Sequence, residues 1–200
     1  MLTPAEEAAK LNLDRACILL LERGQHNLDI LGQIVKGFGA GNLQRCLSIQ
    51  EAKDVLVRKP VDLVIAEPEL DGEDGLDLVR WLRASPLEPN RFTSVALIMG
   101  HTSVARIGQA RDSGANIVIA KPLKPAVLLS RILWLGRDHR PFVEGETYAG
   151  PDRRFKNVGV PAGTDGRRST DLDTPIGDAN EPNLGQDEID SFMRPQRVLL

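Results

Sequence analysis

The chain has 200 residues, of which 42% are hydrophobic and 26% charged, with a net charge of −3 and a pI near 5.7. This length fits one domain of ordinary size with an appendage, and the slightly acidic balance excludes the strongly basic proteins that bind DNA through charge alone. Cys17 and Cys46 lie in apolar runs without metal or redox spacing and predict reduced core thiols. No signal peptide and no apolar run of ~18 residues is visible, so we expect a cytoplasmic protein without a membrane partner.

The chain begins with a segment that favours a short leading helix over residues 1–14. Thr3 offers a capping hydroxyl, Pro4 suits the first helical position, and Glu6 is placed to cap back to the start of the helix.

Five short apolar runs alternate with amphipathic stretches between residues 15 and 135. Most of the runs lack polar alternation, which is typical of parallel strands buried on both faces. The predicted strands cover residues 18–21, 43–49, 63–66, 95–99 and 117–120. The stretches between them carry apolar residues at helical spacing. The pattern predicts an α/β fold with a doubly wound parallel sheet, whose sites form beyond the carboxyl ends of the strands.

The texture changes after Leu135, where glycine and proline recur and apolar residues become sparse. We therefore predict a mostly disordered linker over residues 136–183 and a candidate docking helix over residues 184–194.

Two segments carry a family resemblance. The run DLVIAEPELDGEDGL at 62–76, and the run from Gly114 to the Lys121-Pro122-Leu123 turn, resemble the third strand with its helix and the fifth strand of receiver domains of two-component response regulators. With the apolar run at 18–21, the resemblance covers about residues 15–135. It implies a flavodoxin-like strand order of 2-1-3-4-5 and a signalling module rather than an enzyme.

The resemblance also implies roles for five positions. In receiver domains an aspartate after the third strand accepts a phosphoryl group, an acidic pair after the first strand helps to hold Mg²⁺, a hydroxyl follows the fourth strand and a lysine follows the fifth. In this sequence the corresponding residues are Glu67 as phosphoacceptor, Glu22 and Arg23 as the acidic pair, Met99 at the hydroxyl position, and Lys121.

Only Lys121 matches the family pattern, and the departures predict a degenerate pocket. Glu67 is one methylene longer than aspartate, and a misplacement of ~1 Å costs transfer about a hundredfold. Arg23 offers only hydrogen-bond donors and a positive charge where Mg²⁺ is expected, and the Met99 thioether is no donor. We expect no cofactor, a lost Mg²⁺ site, and a standing ion-pair cluster of Glu67, Lys121 and Arg23.

Three interpretations of the pocket stay open at this point. The leading one is a phosphorylation-independent receiver that works by binding a protein partner, in motility or phosphorelay control. A second is an inert, drifted receiver that serves as a scaffold, and a third retains weak phosphorylation at Glu67.

The tail arginines raise a further alternative. Arg153 and Arg154 supply planar cations suited to phosphate, and the region loosely resembles arginine-rich appendages of receiver-like effectors of cyclic dinucleotides. Solvated charge in a linker is the other explanation. No helix-turn-helix pattern is visible, so we expect no DNA partner.

The segment LGQDEIDSFM at 184–193 resembles the short peptide with which a flagellar motor switch protein docks onto its chemotaxis receiver. In a helix Ile189, Phe192 and Met193 form one apolar stripe with acidic flanks. The family's receiving groove lies here around residues 103–110 and 116–132. The open possibilities are docking in cis, docking on another receiver, and docking on a histidine kinase, phosphotransferase or flagellar switch partner.

Overall fold

The computed structural model describes residues 13–138, 140–145, 147–153 and 183–193, and the predicted leading helix lies almost wholly outside them. Its main sheet has five parallel strands in the order β2-β1-β3-β4-β5. They are β1 (Cys17–Leu21), β2 (Asn42–Cys46), β3 (Leu63–Ala66), β4 (Ser94–Met99) and β5 (Ile117–Ala120). The predicted α/β fold and strand order are confirmed.

Helices cover both faces of this sheet. They are α1 (Gln25–Gly37), α2 (Ile49–Arg58), α3 (Gly75–Ala84), α4 (Val104–Asp112) and α5 (Pro125–Leu135). Successive strand side chains point to opposite faces, so Leu19 and Leu21 pack with α2, α3 and α4, whereas Ile18 and Leu20 pack with α1 and α5. Within the described residues no helix is long and apolar enough to cross a membrane.

The second strand ends earlier than the sequence pattern predicts. It stops at Cys46 rather than at residue 49 because Ser48 caps the next helix by accepting a hydrogen bond from the Glu51 N–H at 3.2 Å. The Glu51 side chain in turn accepts from the Leu47 N–H at 2.8 Å. Ile49 therefore begins α2. The reciprocal cap gives the Leu47 and Glu51 N–H groups side-chain acceptors, so they need no partner in the sheet.

The start of α3 lies tightly against the end of β3. A Cβ atom at Gly75 would stand 2.7 Å from both the carbonyl oxygen of Glu67 and the Cα of Pro68. Asp74 caps the helix by accepting from the Leu76 N–H at 3.0 Å, and it pairs with Arg106 of α4 at 2.9 Å. Because Gly75 has no Cβ atom, the start of α3 can approach the Glu67 backbone this closely.

An antiparallel hairpin follows α5 where the sequence predicted no regular structure. Its strands are β6 (Phe142–Glu144) and β7 (Ala149–Pro151). Phe142 packs edge-on against Phe92 with ring centroids 4.9 Å apart, and Glu144 pairs with Arg91 at 2.8 Å. The expected disorder over 136–183 is therefore wrong for the hairpin, because the domain surface supplies the apolar contacts that this short segment lacks. Residues 154–182 lie outside the described part.

The last described element is α6 (Gln186–Met193). Gly185 precedes it, and the Gly185 N–H donates to Glu188 at 2.8 Å, which closes the first turn as a capping interaction. Asp187 and Glu188 add negative charge in that turn, where the helix dipole favours it. Ile189 is fully buried in the same apolar cluster as Met99 and Val118. The predicted candidate docking helix thus lies on the domain itself.

Candidate functional site

Three charged side chains meet at the carboxyl edge of the sheet. Glu22 follows β1, Glu67 follows β3 and Lys121 follows β5. The Lys121 Nζ lies 2.5 Å from the Glu67 Oε1 and 3.6 Å from the Glu22 Oε2. The sequence predicts these residues in one pocket, and the structure brings them together. We call them the Glu22–Glu67–Lys121 triad.

Backbone hydrogen bonds hold all three residues of the triad at the edge of the sheet. The Glu22 N–H donates to Cys46, the Glu67 N–H donates to Leu21 at 2.8 Å, and the Lys121 N–H donates to Met99 at 2.8 Å. These bonds extend the parallel ladders by one step, so the triad lies on the rigid end of the sheet and not on free loops.

The two carboxyl groups of the triad have opposite pKa shifts. Burial, followed by a hydrogen bond with Glu67, raises the pKa of Glu22 to about 8. Burial also acts to raise the pKa of Glu67, but hydrogen bonds with Glu22 and Lys121 outweigh it and lower the pKa of that residue. Two close carboxylates cannot both ionise without a large repulsion. At neutral pH Glu22 is therefore mostly the neutral acid and Glu67 the anion that faces Lys121.

Arg23 lies elsewhere than the sequence analysis expected. Its side chain is 59% exposed and its Nε lies 3.5 Å from the Oδ1 of Asp71, which is itself in solvent. Only its backbone N–H approaches Glu67, at 3.5 Å. The ion-pair cluster contains Glu22 in place of Arg23, because a guanidinium beside the Lys121 ammonium would add like charge to a buried site.

Met99 ends β4 as a fully buried side chain of the apolar core, in the cluster that contains Leu21 and Leu97. The family's hydroxyl position is thus filled by an apolar group that donates no hydrogen bond towards the triad. His101, two residues further on, has a side chain 83% exposed, with its Nδ1 3.6 Å from Glu69. It lies outside the triad.

The triad is a poor fit for the Mg²⁺ ion that the receiver resemblance implies. Mg²⁺ takes oxygen ligands, and the Lys121 ammonium already contacts both carboxyl groups that would hold the ion, so a fixed positive charge faces the place of the divalent cation. Among the described residues no three acidic, histidine or cysteine side chains form a metal-binding group. The Glu22 Oε2 is buried without a hydrogen-bond partner, but its neighbour is an ammonium group.

One arginine of the predicted pair, Arg153, lies within the described residues, and it contacts α4 and the hairpin. Arg153 pairs with Asp112 at the end of α4 at 2.7 Å, and its guanidinium stacks on the Tyr148 ring with the Cζ 3.6 Å from the centroid. Both contacts fix it against the hairpin. Arg154 lies outside the described residues.

The predicted docking stripe is placed against α4 and β5. Ile189 is buried, while Phe192 and Met193 are partly buried against the same cluster, and the Arg111 guanidinium lies 5.5 Å from the Phe192 ring centroid. The predicted apolar stripe does not include the polar contacts of this segment. Asp190 pairs with Arg131 of α5, and the Gln186 amide bonds to β5. The i, i+4 spacing of Gln186 and Asp190 was the available signal.

This fold agrees with the family model that the sequence matches. The model described as the response regulator receiver domain matches residues 18–133, more than half of the chain. The chain therefore belongs to the response regulator receiver domain family. Members of this family are in general signalling modules.

The curated relatives are longer proteins. The sensory/regulatory protein RpfC of Xanthomonas campestris is 27% identical over 120 residues, which cover 60% of this chain and 16% of RpfC. The response regulator protein PilR of Pseudomonas aeruginosa is 32% identical over 76 residues, which cover 38% of this chain and 16% of PilR. The chain thus aligns with about a sixth of the length of each relative.

Solved receiver domains share the fold. The signal receiver domain of a signal transduction histidine kinase from Syntrophus aciditrophicus has a TM-score of 0.55 and 25% identity, and the match covers 66% of this chain and 98% of that one. The chemotaxis protein CheY4 of Vibrio cholerae has a TM-score of 0.56 and 18% identity, over 60% of this chain and 98% of that one. At 18% identity the latter likeness concerns the fold alone.

Proposed function

We propose that this protein is a pseudo-receiver that acts through protein–protein interaction and needs neither phosphorylation nor Mg²⁺. The observation that carries the proposal is the Glu22–Glu67–Lys121 triad, in which the ammonium contacts both carboxyl groups at 2.5 and 3.6 Å. A receiver switches when a new negative group arrives beside its lysine. Here Glu67 has the same single charge as aspartate, but its additional methylene carries that charge further from the backbone and into contact with Lys121.

The residues around the triad support a fixed state. Carboxylate attack on a phosphodonor requires a metal or a comparable charge to offset the phosphoryl oxygens. Arg23 replaces one of the family's metal-binding acids and Met99 replaces the hydroxyl that follows the phosphoryl group. The pocket then acts as a structural lock that holds the ends of β1, β3 and β5 in one arrangement, and the partners that read this arrangement are proteins of a cytoplasmic two-component or motility system.

The test is phosphorylation of the full-length chain by acetyl phosphate with Mg²⁺, followed by intact-mass analysis. We expect no phosphoryl adduct on the natural chain. The matched control is the triple variant Arg23→Asp, Glu67→Asp, Met99→Thr, which restores the family pattern and is expected to gain an adduct that acid-quenched samples preserve. A stoichiometric adduct on Glu67 of the natural chain contradicts the proposal and supports a receiver that is still phosphorylated.

A cyclic-dinucleotide effector has less support. Arg153, the described member of the predicted arginine pair, is held by Asp112 and Tyr148 in the hairpin region. Binding of a dinucleotide would have to compete with an ion pair and a ring contact, so we favour the protein-binding role.

A further inference from the structure

The surface made by α4, β5 and α5 is covered by residues 183–193 of the same chain, which we call the tail segment. Covering an exposed sheet edge and an apolar face removes two features that favour association with other chains. We call this covered surface the docking groove.

The first contact pairs the tail segment with the free edge of the sheet. β5 is an edge strand, so its outward amide and carbonyl groups have no neighbouring strand. The Ala120 N–H donates to the Gln186 Oε1 at 2.8 Å, and the Gln186 Nε2 donates to the Val118 carbonyl at 3.0 Å. The Gln186 side-chain amide thus makes the two hydrogen bonds that a neighbouring strand would make with the Val118 carbonyl and the Ala120 N–H. A carboxylate at this position has no donor for Val118, so the site distinguishes glutamine from glutamate.

A second set of bonds joins the start of the tail segment to the β4–α4 loop. The Thr102 N–H donates to the Asn183 Oδ1 at 3.0 Å and its hydroxyl donates to the Leu184 carbonyl at 3.0 Å. The Leu184 N–H donates back to the Thr102 carbonyl at 2.9 Å. Thr102 is 2% exposed, so these bonds are anchored on a buried residue of the domain. They fix the position at which the helix enters the groove.

Charge and shape complete the recognition. Asp190 pairs with Arg131 of α5, and the Gln186 amide also donates to Asp190 at 2.9 Å, so the two polar anchors orient each other. Ile189 is fully buried and Phe192 lies under Arg111. The groove therefore reads a helix with glutamine at its start, an aliphatic residue at i+3, an acid at i+4 and an aromatic residue at i+6.

The connection between the domain and the tail segment permits docking in cis. Arg153 lies at the end of α4 and Asn183 lies beside Thr102 at its start, about 14 Å apart along a nine-residue helix at 1.5 Å per residue. Residues 154–182 can span up to about 95 Å at ~3.3 Å per residue. A tethered segment has an effective concentration of about 1 mM, far above that of most free partners.

We propose that the tail segment of this chain is autoinhibitory: it occupies the docking groove in cis and excludes other acidic amphipathic helices of the same pattern until one displaces it. The inference rests on the proposed function, since it names the surface through which a receiver without phosphorylation would signal. A tail segment with an intrinsic dissociation constant of about 100 μM for the groove weakens the binding of a competing helix about tenfold at an effective concentration of about 1 mM.

The test uses full-length protein and a fluorescein-labelled peptide of residues 183–193, followed by fluorescence anisotropy without any phosphodonor. The release variant Gln186→Ala, Ile189→Ala is expected to bind the peptide about tenfold more tightly than the natural chain. The matched control Asp187→Asn changes an exposed acid of the same helix and is expected to bind like the natural chain. Adding Arg131→Ala to the release variant is expected to weaken binding at least fivefold.

Equal peptide binding by the release variant and the natural chain overturns the inference. So does a peptide with Gln186→Ala that binds as well as the natural sequence, or a concentration-dependent dimer in which tail segments exchange between copies. The phosphodonor experiment gives an independent readout. If Glu67 gains an adduct and the release variant binds the peptide more tightly, the proposed function fails and the docking inference stands. If there is no adduct and both proteins bind the peptide equally, the docking inference fails and the proposed function stands.

Discussion

The two ends of the sheet each hold a cation, partly exposed at the carboxyl end and buried at the amino end, and they stabilise it in different ways. At the carboxyl end Lys121 faces the two carboxyl groups of Glu22 and Glu67. At the amino end the Arg83 guanidinium, 2% exposed, donates to the carbonyl groups of Arg91, Thr93 and Gly114 and to the Asn116 side chain at 2.6 to 3.1 Å. Burial, only partly opposed by Tyr148, lowers the pKa of Arg83 to about 10, which leaves it charged.

The net charge of the triad changes with pH, whereas the charge of the Arg83 site does not. The carboxyl-end triad contains an acid whose pKa lies near physiological pH, so its charge depends on conditions. The neutral acceptors around Arg83 do not titrate, and they tie α3 to the starts of β4 and β5. The hairpin covers this end, with the Phe142 ring centroid 5.7 Å from the Arg83 Cζ. We infer that the amino end is structural and that the carboxyl end and the docking groove carry signalling.

The largest expected effect is at the amino end. Arg83→Met is expected to lower the free energy of unfolding by about 4 kcal/mol, because it removes the donor from two buried carbonyl groups and one partly buried carbonyl group. Urea denaturation followed by tryptophan fluorescence measures the loss. The matched control is Arg80→Met on the same helix, where an exposed ion pair with Asp77 is worth less than ~0.5 kcal/mol. Similar losses for both variants would remove the distinction between the two ends.

An intermediate effect is expected at the triad, and it depends on pH. The raised pKa of Glu22 means that its contribution to stability is complete below about pH 4.5 and is lost as pH rises towards 8. The lowered pKa of Glu67 has the opposite sign, with stability present above pH 4.5 and lost at lower pH.

Glu22→Gln should therefore flatten the decline between pH 4.5 and 8 and stabilise the protein at pH 8 by on the order of 2 kcal/mol. Chemical denaturation across this range measures the change. Glu88→Gln, which alters an exposed acid away from the triad, should keep the natural profile. A Glu22→Gln profile parallel to the natural one would show that Glu22 does not retain its proton.

The smallest expected effect is that of Arg23→Ala. This side chain is 59% exposed and its partner Asp71 is 83% exposed, so the loss of unfolding free energy should stay below about 0.5 kcal/mol. Thermal unfolding at neutral pH measures it. A loss above 2 kcal/mol would indicate that Arg23 belongs to the buried cluster after all and would bring the two ends closer in character.

Much of the fold was predictable because parallel strands and amphipathic helices have local signatures. The runs at 63–66 and 117–120 were predicted with the observed bounds, since both are apolar segments between polar turns. The end of β2 was not, because a cap formed by Ser48 and Glu51 decides it. The hairpin escaped prediction because Phe142 and Glu144 are stabilised by Phe92 and Arg91, some 50 residues away in sequence.

The sequence by itself determined the fold class, the positions of Glu22, Glu67 and Lys121 at one edge, and the apolar stripe of the tail segment, because these follow from periodicity and spacing along the chain. Tertiary structure alone decided that Arg23 turns to solvent, that Glu22 shares a proton-dependent site with Glu67, and that Gln186 completes the edge of β5. The reason is physical: the orientation of a long side chain and the pKa of a buried acid depend on which charges and free backbone groups surround it. Those neighbours come from distant parts of the chain.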